Sequence, residues 1–274
     1  MGEYIENSGL EEKVFLVTGG ASGIGAGVVR SLLAENAWHV AFLDILVREG
    51  SALEAELTNK FGALKAKFIK CDISKEQELS EAFKLVIDKY HRLDGVINNA
   101  ALLSADVSMF RRVIDVNFTA TVNSTLSAID LMSQKAESSG VIVNISSLLA
   151  LRSKTHFPVY AATKAAVLQF SHSIATEQKD TGIRVITVCL GPTDTAILER
   201  QNSINFENDA AQLLKSRARV RQRVESAVSG IIEVIKHGLN GSTWVIADDQ
   251  PAVDITGNIK MSFDYHSESI ENRL

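Results

Sequence analysis

The chain has 274 residues, 46% hydrophobic and 22% charged, an ordinary globular composition with ample material for a core. Its net charge of −5 excludes a general nucleic-acid binder, whose affinity rests on an excess of lysine and arginine. No stretch approaches the roughly 20 apolar residues of a membrane span, and the opening MGEYIENSGLEEK lacks the apolar run of a signal peptide. Cys71 and Cys189 stand alone in apolar surroundings rather than in a disulfide or metal spacing, so a reducing, cytoplasmic location is expected. His39, His91, His156, His172, His237 and His266 show no ligand spacing, and no metal is expected.

After an N-terminal extension (1–12), the run KVFLVT (Lys13 to Thr18) reads as a strand and leads into TGGASGIG. Gly19, Gly23 and Gly25 let the backbone turn tightly and approach a pyrophosphate, which then sits on the N-terminus of the next helix, Gly23 to Glu35. Ser22 and Ile24 belong to the same turn. The second strand, HVAFLD (His39 to Asp44), ends on a carboxylate 19 residues beyond Gly25. There it can accept hydrogen bonds from an adenosine ribose 2′-hydroxyl and would repel a 2′-phosphate. The glycine turn holds no basic residue and the nearest one after Asp44 is Arg48, so NAD is favoured over NADP, with Ile45 beside it. Asp44 can equally cap the helix Arg48 to Phe61, and the two roles are compatible.

The third strand, AKFIKCD (Ala66 to Asp72), places Cys71, Asp72 and Ile73 to flank the adenine, or Asp72 to cap the helix Lys75 to Tyr90. LDGVIN (Leu93 to Asn98) is followed by Asn99 and Ala100, and the side-chain amides of this N-N-A run would fix the backbone beneath a cofactor. A long helix is read over Val107 to Lys135, then a strand GVIVNISS (Gly140 to Ser147). Pro158 suits the first position of a helix running to Lys179, on which Tyr160 and Lys164 share one face a turn apart. An ammonium beside a phenol favours the phenolate and would pull its pKa down toward working pH. IRVITVCL (Ile183 to Leu190) reads as the sixth strand, with Gly191, Thr193 and Thr195 after it, and STWVIAD (Ser242 to Asp248) as the seventh.

Strict alternation of strand and helix, with nearly continuous apolar strands, predicts an α/β fold. It would be a single Rossmann-type domain over 1–274, a doubly wound parallel sheet of about seven strands with helices on both faces. A helical substrate lid with its following helix is placed at 195–238 and a C-terminal tail at 249–274. Ligands of such a sheet bind beyond the carboxyl ends of the strands.

The pattern T-G-x-x-x-G-x-G, an acidic end to the second strand, N-N-A, a mid-chain asparagine, a serine and Y-x-x-x-K in this order resembles the classical short-chain dehydrogenases/reductases. The resemblance spans about Lys13 to Asp248. TAIL at Thr195 to Leu198, the Asp44 ending and the length are most similar to the NAD-dependent 15-hydroxyprostaglandin dehydrogenase-like group. It implies a catalytic tetrad of Asn117, Ser147, Tyr160 and Lys164. Tyr160 would exchange the substrate hydroxyl proton, and Lys164 would lower its pKa and hold the nicotinamide ribose. Ser147 would bond the substrate oxygen, and Asn117 would keep a water behind Lys164. It also implies a homodimer or homotetramer packed through the helices of Asn117 and Tyr160.

Three departures stand out. Ala101 replaces the glycine of N-N-A-G, CLGPTDT replaces the usual P-G after the sixth strand, and Phe157 stands where prostaglandin enzymes carry an amide. Prostaglandin specificity is therefore not carried over. The expected substrate is a fairly apolar secondary alcohol or its ketone, contacted by Ser147, Leu149, Phe157, Tyr160 and Leu198, with Leu148 and Leu151 nearby. Ile204, Phe206 and Leu213 would extend an apolar lid. The basic run KSRARVRQR reads as a solvated helix, or else Arg219 or Arg223 meets an anionic substrate tail. The alternatives are a carbonyl reductase using the same residues in reverse and a silent dinucleotide-binding protein.

Overall fold

The computed structural model describes residues 9–134, 139–152, 155, 157–199 and 221–271. Eight strands among them form one sheet in the order β3-β2-β1-β4-β5-β6-β7-β8. These are β1 (Val14–Thr18), β2 (His39–Asp44), β3 (Ala66–Lys70), β4 (Gly95–Asn98), β5 (Gly140–Ser147), β6 (Ile183–Leu190), β7 (Thr243–Ile246) and β8 (Val253–Asp254). The first seven pair in parallel; the eighth, beyond the predicted count, pairs antiparallel with β7.

The continuous apolar runs have the expected cause. Along β1, Phe15 and Val17 pack into one core while Val14 and Leu16 pack into the other, and all four are fully buried. One core lies under α1 (Gly23–Ala34), α2 (Val47–Phe61) and α8 (Val224–His237), the other under α3 (Glu76–Tyr90), α5 (Ala120–Ser133) and α6 (Pro158–Glu177). Covered on both faces, a parallel sheet has no use for polar alternation.

Two elements differ from the sequence reading, the helix after β4 and the C-terminal tail. The helix read over Val107 to Lys135 is broken into a 3-10 turn (Val107–Met109), α4 (Phe110–Ile114), a π-helical turn (Asp115–Thr119) and α5. Within 195–238 the described residues form the short α7 (Ala196–Glu199) and α8. The segment read as a tail contains β8 and α9 (Thr256–Glu271), whose start is held by Asp254 Oδ1 accepting from Thr256 N at 2.8 Å. The expectations for His156, Ile204, Phe206, Leu213, Lys215, Arg217 and Arg219 lie outside the described residues.

Candidate active site

The strand order reverses between β1 and β4, and a cavity of about 1390 Å³ opens there at the carboxyl ends of the strands. Its floor is the glycine turn. Gly19 and Gly23 adopt φ of 65° and 51°, a region that L side chains rarely adopt. A Cβ on Gly19 would come 2.8 Å from Ala100 Cα, and one on Gly25 would come 2.0 Å from Gly19 O. Gly25 therefore does not line the cavity as read from sequence; it lets α1 pack against the turn. Asn99 fastens the same turn from β4, with Nδ2 donating to Thr18 O at 2.9 Å and Gly19 O at 3.2 Å. Thr18 Oγ1 accepts from the backbone N–H groups of Asn99 and Ala100 at 3.0 and 3.1 Å. Ser22 makes no side-chain cap and the first turn of α1 has no acidic residue, so the positive end of the helix faces the cavity uncompensated.

Asp44 lines the cavity half-buried, oriented by two backbone donors, Ala21 N to Oδ2 at 3.0 Å and Leu46 N to Oδ1 at 3.1 Å. It thus holds the entry to α2 as well as facing the cavity. Ile45 lies beside it on the wall, whereas Arg48 is exposed and does not line it. Next come Cys71, Asp72 and Ile73. Burial pushes the Cys71 thiol up to about 12, helped by Glu78 and Asp72, so it is inert. Asp72 accepts from Arg112 Nη2 at 2.7 Å and from Ser74 N and Oγ at 3.2 and 2.8 Å. Burial alone would raise its pKa, but the bonds from Arg112 and Ser74 outweigh it and hold the carboxyl below its usual range. Arg112 also bonds Ser74 Oγ and lines the cavity, a residue the sequence reading missed because that region read as one uninterrupted helix.

Ser147, Tyr160 and Lys164 meet on the opposite wall. Ser147 ends β5 and its Oγ accepts from Leu149 N at 3.1 Å, capping the 3-10 turn Leu148–Leu151. Pro158 sits in the first turn of α6, and Ser146 Oγ donates to Lys164 O at 2.7 Å, tying that helix to β5. Lys164 is 2% exposed; its Nζ donates to Ile145 O at 2.8 Å and lies 5.8 Å from the Tyr160 ring centroid. The expectation that Lys164 depresses the phenol pKa is not met in this state. Burial pushes Tyr160 up to about 12, opposed by a hydrogen bond with Ser147, while burial pulls Lys164 down to about 8, opposed by Cys189.

Asn117 lies at the centre of the π-turn, fully buried, and does not line the cavity. Its Oδ1 accepts from Leu102 N at 2.7 Å, and its Nδ2 donates to Leu102 O at 2.9 Å and Thr163 Oγ1 at 3.2 Å. Thr163 Oγ1 in turn donates to Tyr160 O at 2.7 Å. The side chain thus clamps the loop after β4 to the helix of Tyr160, and its backbone carbonyl accepts from Thr121 Oγ1 at 3.0 Å.

After β6, Gly191, Thr193 and Thr195 line the cavity, and a Cβ on Gly23 would come 3.2 Å from Thr195 Cγ2. The apolar end is walled by Leu102, Leu148, Leu149, Phe157, Ile197 and Leu198, with Phe157 5% exposed; Leu151 is exposed and stays outside it. Arg223 does not line the cavity; its backbone N–H donates to Asp249 Oδ1 at 2.8 Å and its guanidinium pairs with the same carboxylate at 3.3 Å. Arg221 does line the cavity, paired with Asp194 at 3.3 Å. Among the described residues no group of three or more His, Cys, Asp or Glu could hold a metal ion, and no helix is long and apolar enough to cross a membrane.

The family model for short chain dehydrogenases matches residues 13–205. The 15-hydroxyprostaglandin dehydrogenase [NAD(+)] of Macaca fascicularis is 33% identical over 246 residues, covering 85% of this chain and 90% of that protein. The Homo sapiens enzyme of the same name is 32% identical over the same span. A 3beta-hydroxysteroid dehydrogenase of Mediterraneibacter gnavus is 31% identical over 200 residues, 70% of this chain. The crystal structure of levodione reductase superposes with a TM-score of 0.76 at 21% identity, covering 87% of this chain and 97% of that one, a likeness of fold. With a family match over most of its length and relatives at a third identity across nearly all of theirs, the chain belongs to the short-chain dehydrogenase family of oxidoreductases.

Proposed function

We propose that this chain is an NAD-dependent alcohol dehydrogenase that interconverts a predominantly apolar secondary alcohol and its ketone, with Tyr160 as the proton-transfer group. The observation that carries the reading is the convergence of Ser147, Tyr160 and Lys164 on the wall of a cavity whose floor is a glycine turn closed to side chains. The residues fit a dinucleotide. The side-chain-free turn and uncapped start of α1 suit a pyrophosphate, Asp44 suits an unphosphorylated ribose, and Asp72 with Ile73 suits the adenine. When bound, NAD supplies the acceptor for the hydride.

Ser147 Oγ holds the substrate oxygen, and Tyr160 takes the hydroxyl proton in oxidation or returns it in reduction. Lys164 stands 5.8 Å from the Tyr160 ring centroid, and Asn117 is a positioning residue that keeps the loop at Leu102 and the helix of Tyr160 in register. The Leu148, Leu149, Phe157 and Leu198 wall favours an apolar substrate body.

The test is NADH formation with a panel of secondary alcohols, NAD against NADP, wild type against Tyr160→Phe. NAD-dependent turnover abolished by the substitution supports the proposal. Turnover that survives it, or a preference for NADPH with ketones, would overturn it.

A further inference from the structure

Resting on the dinucleotide reading above, we infer that Gln222 is a positioning residue that sets the turn after β6 for the nicotinamide end of the cofactor. That turn, CLGPTDT, is where the chain departs from the usual P-G of its family. In the structure, Gln222 returns alongside the turn and forms an isolated parallel bridge with Thr193. Gln222 N donates to Pro192 O at 2.9 Å, and Asp194 N donates to Gln222 O at 3.0 Å.

The side chain goes further. Gln222 is 1% exposed, and its Nε2 donates to both Thr193 Oγ1 at 2.9 Å and Ile246 O at 3.1 Å. Thr193 Oγ1 donates to Gly191 O at 3.1 Å, and Gly191 N donates to Ile246 O at 2.9 Å. The direction of every bond follows from the groups themselves. A carbonyl at Ile246 can only accept, so the amide nitrogen must face it, and the Thr193 proton is spent on Gly191, so its lone pair receives the second amide hydrogen. One glutamine therefore joins the turn after β6, the returning chain and the end of β7.

This distinguishes the two threonines that follow β6. The Thr193 hydroxyl is occupied on both sides and 5% exposed, so its hydroxyl is not free for a ligand. Thr195 also lines the cavity, and its hydroxyl holds a 3.4 Å bond to Thr193 O that a better partner would displace. Gln222 thus fixes the backbone from which Thr195 reaches the nicotinamide carboxamide.

The test compares NAD with ADP-ribose, which lacks the nicotinamide, by calorimetric titration of the full chain, with thermal unfolding recorded in parallel. Gln222→Met keeps the volume and removes both donors. Its Kd for NAD should rise about tenfold while its Kd for ADP-ribose stays within about twofold, the scale of one or two lost hydrogen bonds. Gln222→Glu adds a signature that lost packing would not. As an anion it faces the Ile246 carbonyl without a donor, and protonation restores one, so its NAD deficit should narrow as pH falls. The Glu series decides the matter if the Met variant does not fold. NAD affinity unchanged in both variants, or equal losses for NAD and ADP-ribose, would overturn the role of Gln222. A folded wild type that binds neither ligand would overturn the dinucleotide reading itself.

Discussion

Replacing Asn117 with alanine separates its side chain from its backbone carbonyl. A residue acting only through the carbonyl that accepts from Thr121 Oγ1 would tolerate the change, because alanine keeps that carbonyl. The structure instead gives the side chain three hydrogen bonds, at 2.7 and 2.9 Å to the backbone of Leu102 and at 3.2 Å to Thr163 Oγ1. Leu102 borders the cavity and is half-buried, so water can recover part of what its N–H and C=O lose. Taking about 1 kcal/mol for each bond gives a loss of about 2–3 kcal/mol. For a chain of this size that is a fall in Tm of about 5–10 °C. Turnover should fall with it, since the clamp ties the loop at Leu102 to the helix of Tyr160 through Thr163. Asn117→Asp should be at least as costly, because the second oxygen would face the Leu102 carbonyl. Differential scanning calorimetry with steady-state kinetics decides it. An alanine variant with wild-type Tm and lost turnover would refute the clamp, and one with both intact would refute any role for the side chain.

Three further outcomes follow from the same geometry. His39 is 1% exposed at the start of β2, stacked on Tyr90, and burial holds its pKa down at about 4 against an ordinary 6.5, with an opposing bond to Leu64 O. Between those values the unfolded chain binds a proton that the folded one does not, so stability should drop as pH falls from 6.5 toward 4, by up to about 3 kcal/mol; urea unfolding across that range should show a shallower slope in His39→Phe. Gly25→Ala would drive a Cβ to 2.0 Å from Gly19 O and force the start of α1 off the glycine turn, raising the Kd for NAD and for ADP-ribose alike by at least about tenfold. Arg112→Ala removes the bonds to Asp72 and Ser74, so the Asp72 carboxyl should move back up, and NAD and ADP-ribose should weaken together by about two- to fivefold, read by calorimetry.

Much of this fold was legible because the strands report burial on both faces. His39–Asp44, Gly140–Ser147 and Ile183–Leu190 carry the bounds that their apolar runs predict, and the candidate site residues Asp44, Ser147 and Gly191 stand at their ends or just beyond. What escaped depends on tertiary partners. The π-turn at Asp115–Thr119 shifts the helical register, and the clamp from Asn117 to Leu102 that accompanies it leaves no periodic trace. β8 is two residues long, too short for any alternation, and α9 is polar enough to read as a tail, although Asp254 two residues before Thr256 was a capping signal. Gln222 sat inside a basic run that reads as a solvated helix, and only its pairing with Thr193 reveals a buried amide.

The same distinction governs which polar groups can do chemistry. Asn117 and the hydroxyl of Thr193 are spent on the backbone or on each other's scaffolding, and their value lies in where they hold Tyr160 and Thr195. Ser147, Tyr160 and Lys164 are left facing the cavity, and there burial shifts the phenol up and the ammonium down from their ordinary values. A phenol at about 12 beside a lysine at about 8 is the order expected when both groups are desolvated without a charged partner. Oxidation of an alcohol needs the opposite bias, a phenol drawn down toward a persistently charged lysine. The positive charge that accompanies an oxidised nicotinamide would supply part of that bias by favouring the phenolate, whereas the neutral reduced ring would leave Tyr160 a proton donor. The direction of the proton transfer would then follow the redox state of the cofactor. Titrating the Tyr160 phenol by ultraviolet absorbance, with Tyr160→Phe as the blank, should give a lower pKa with NAD than with NADH bound. Equal values in the two complexes would mean that the fold alone sets the proton.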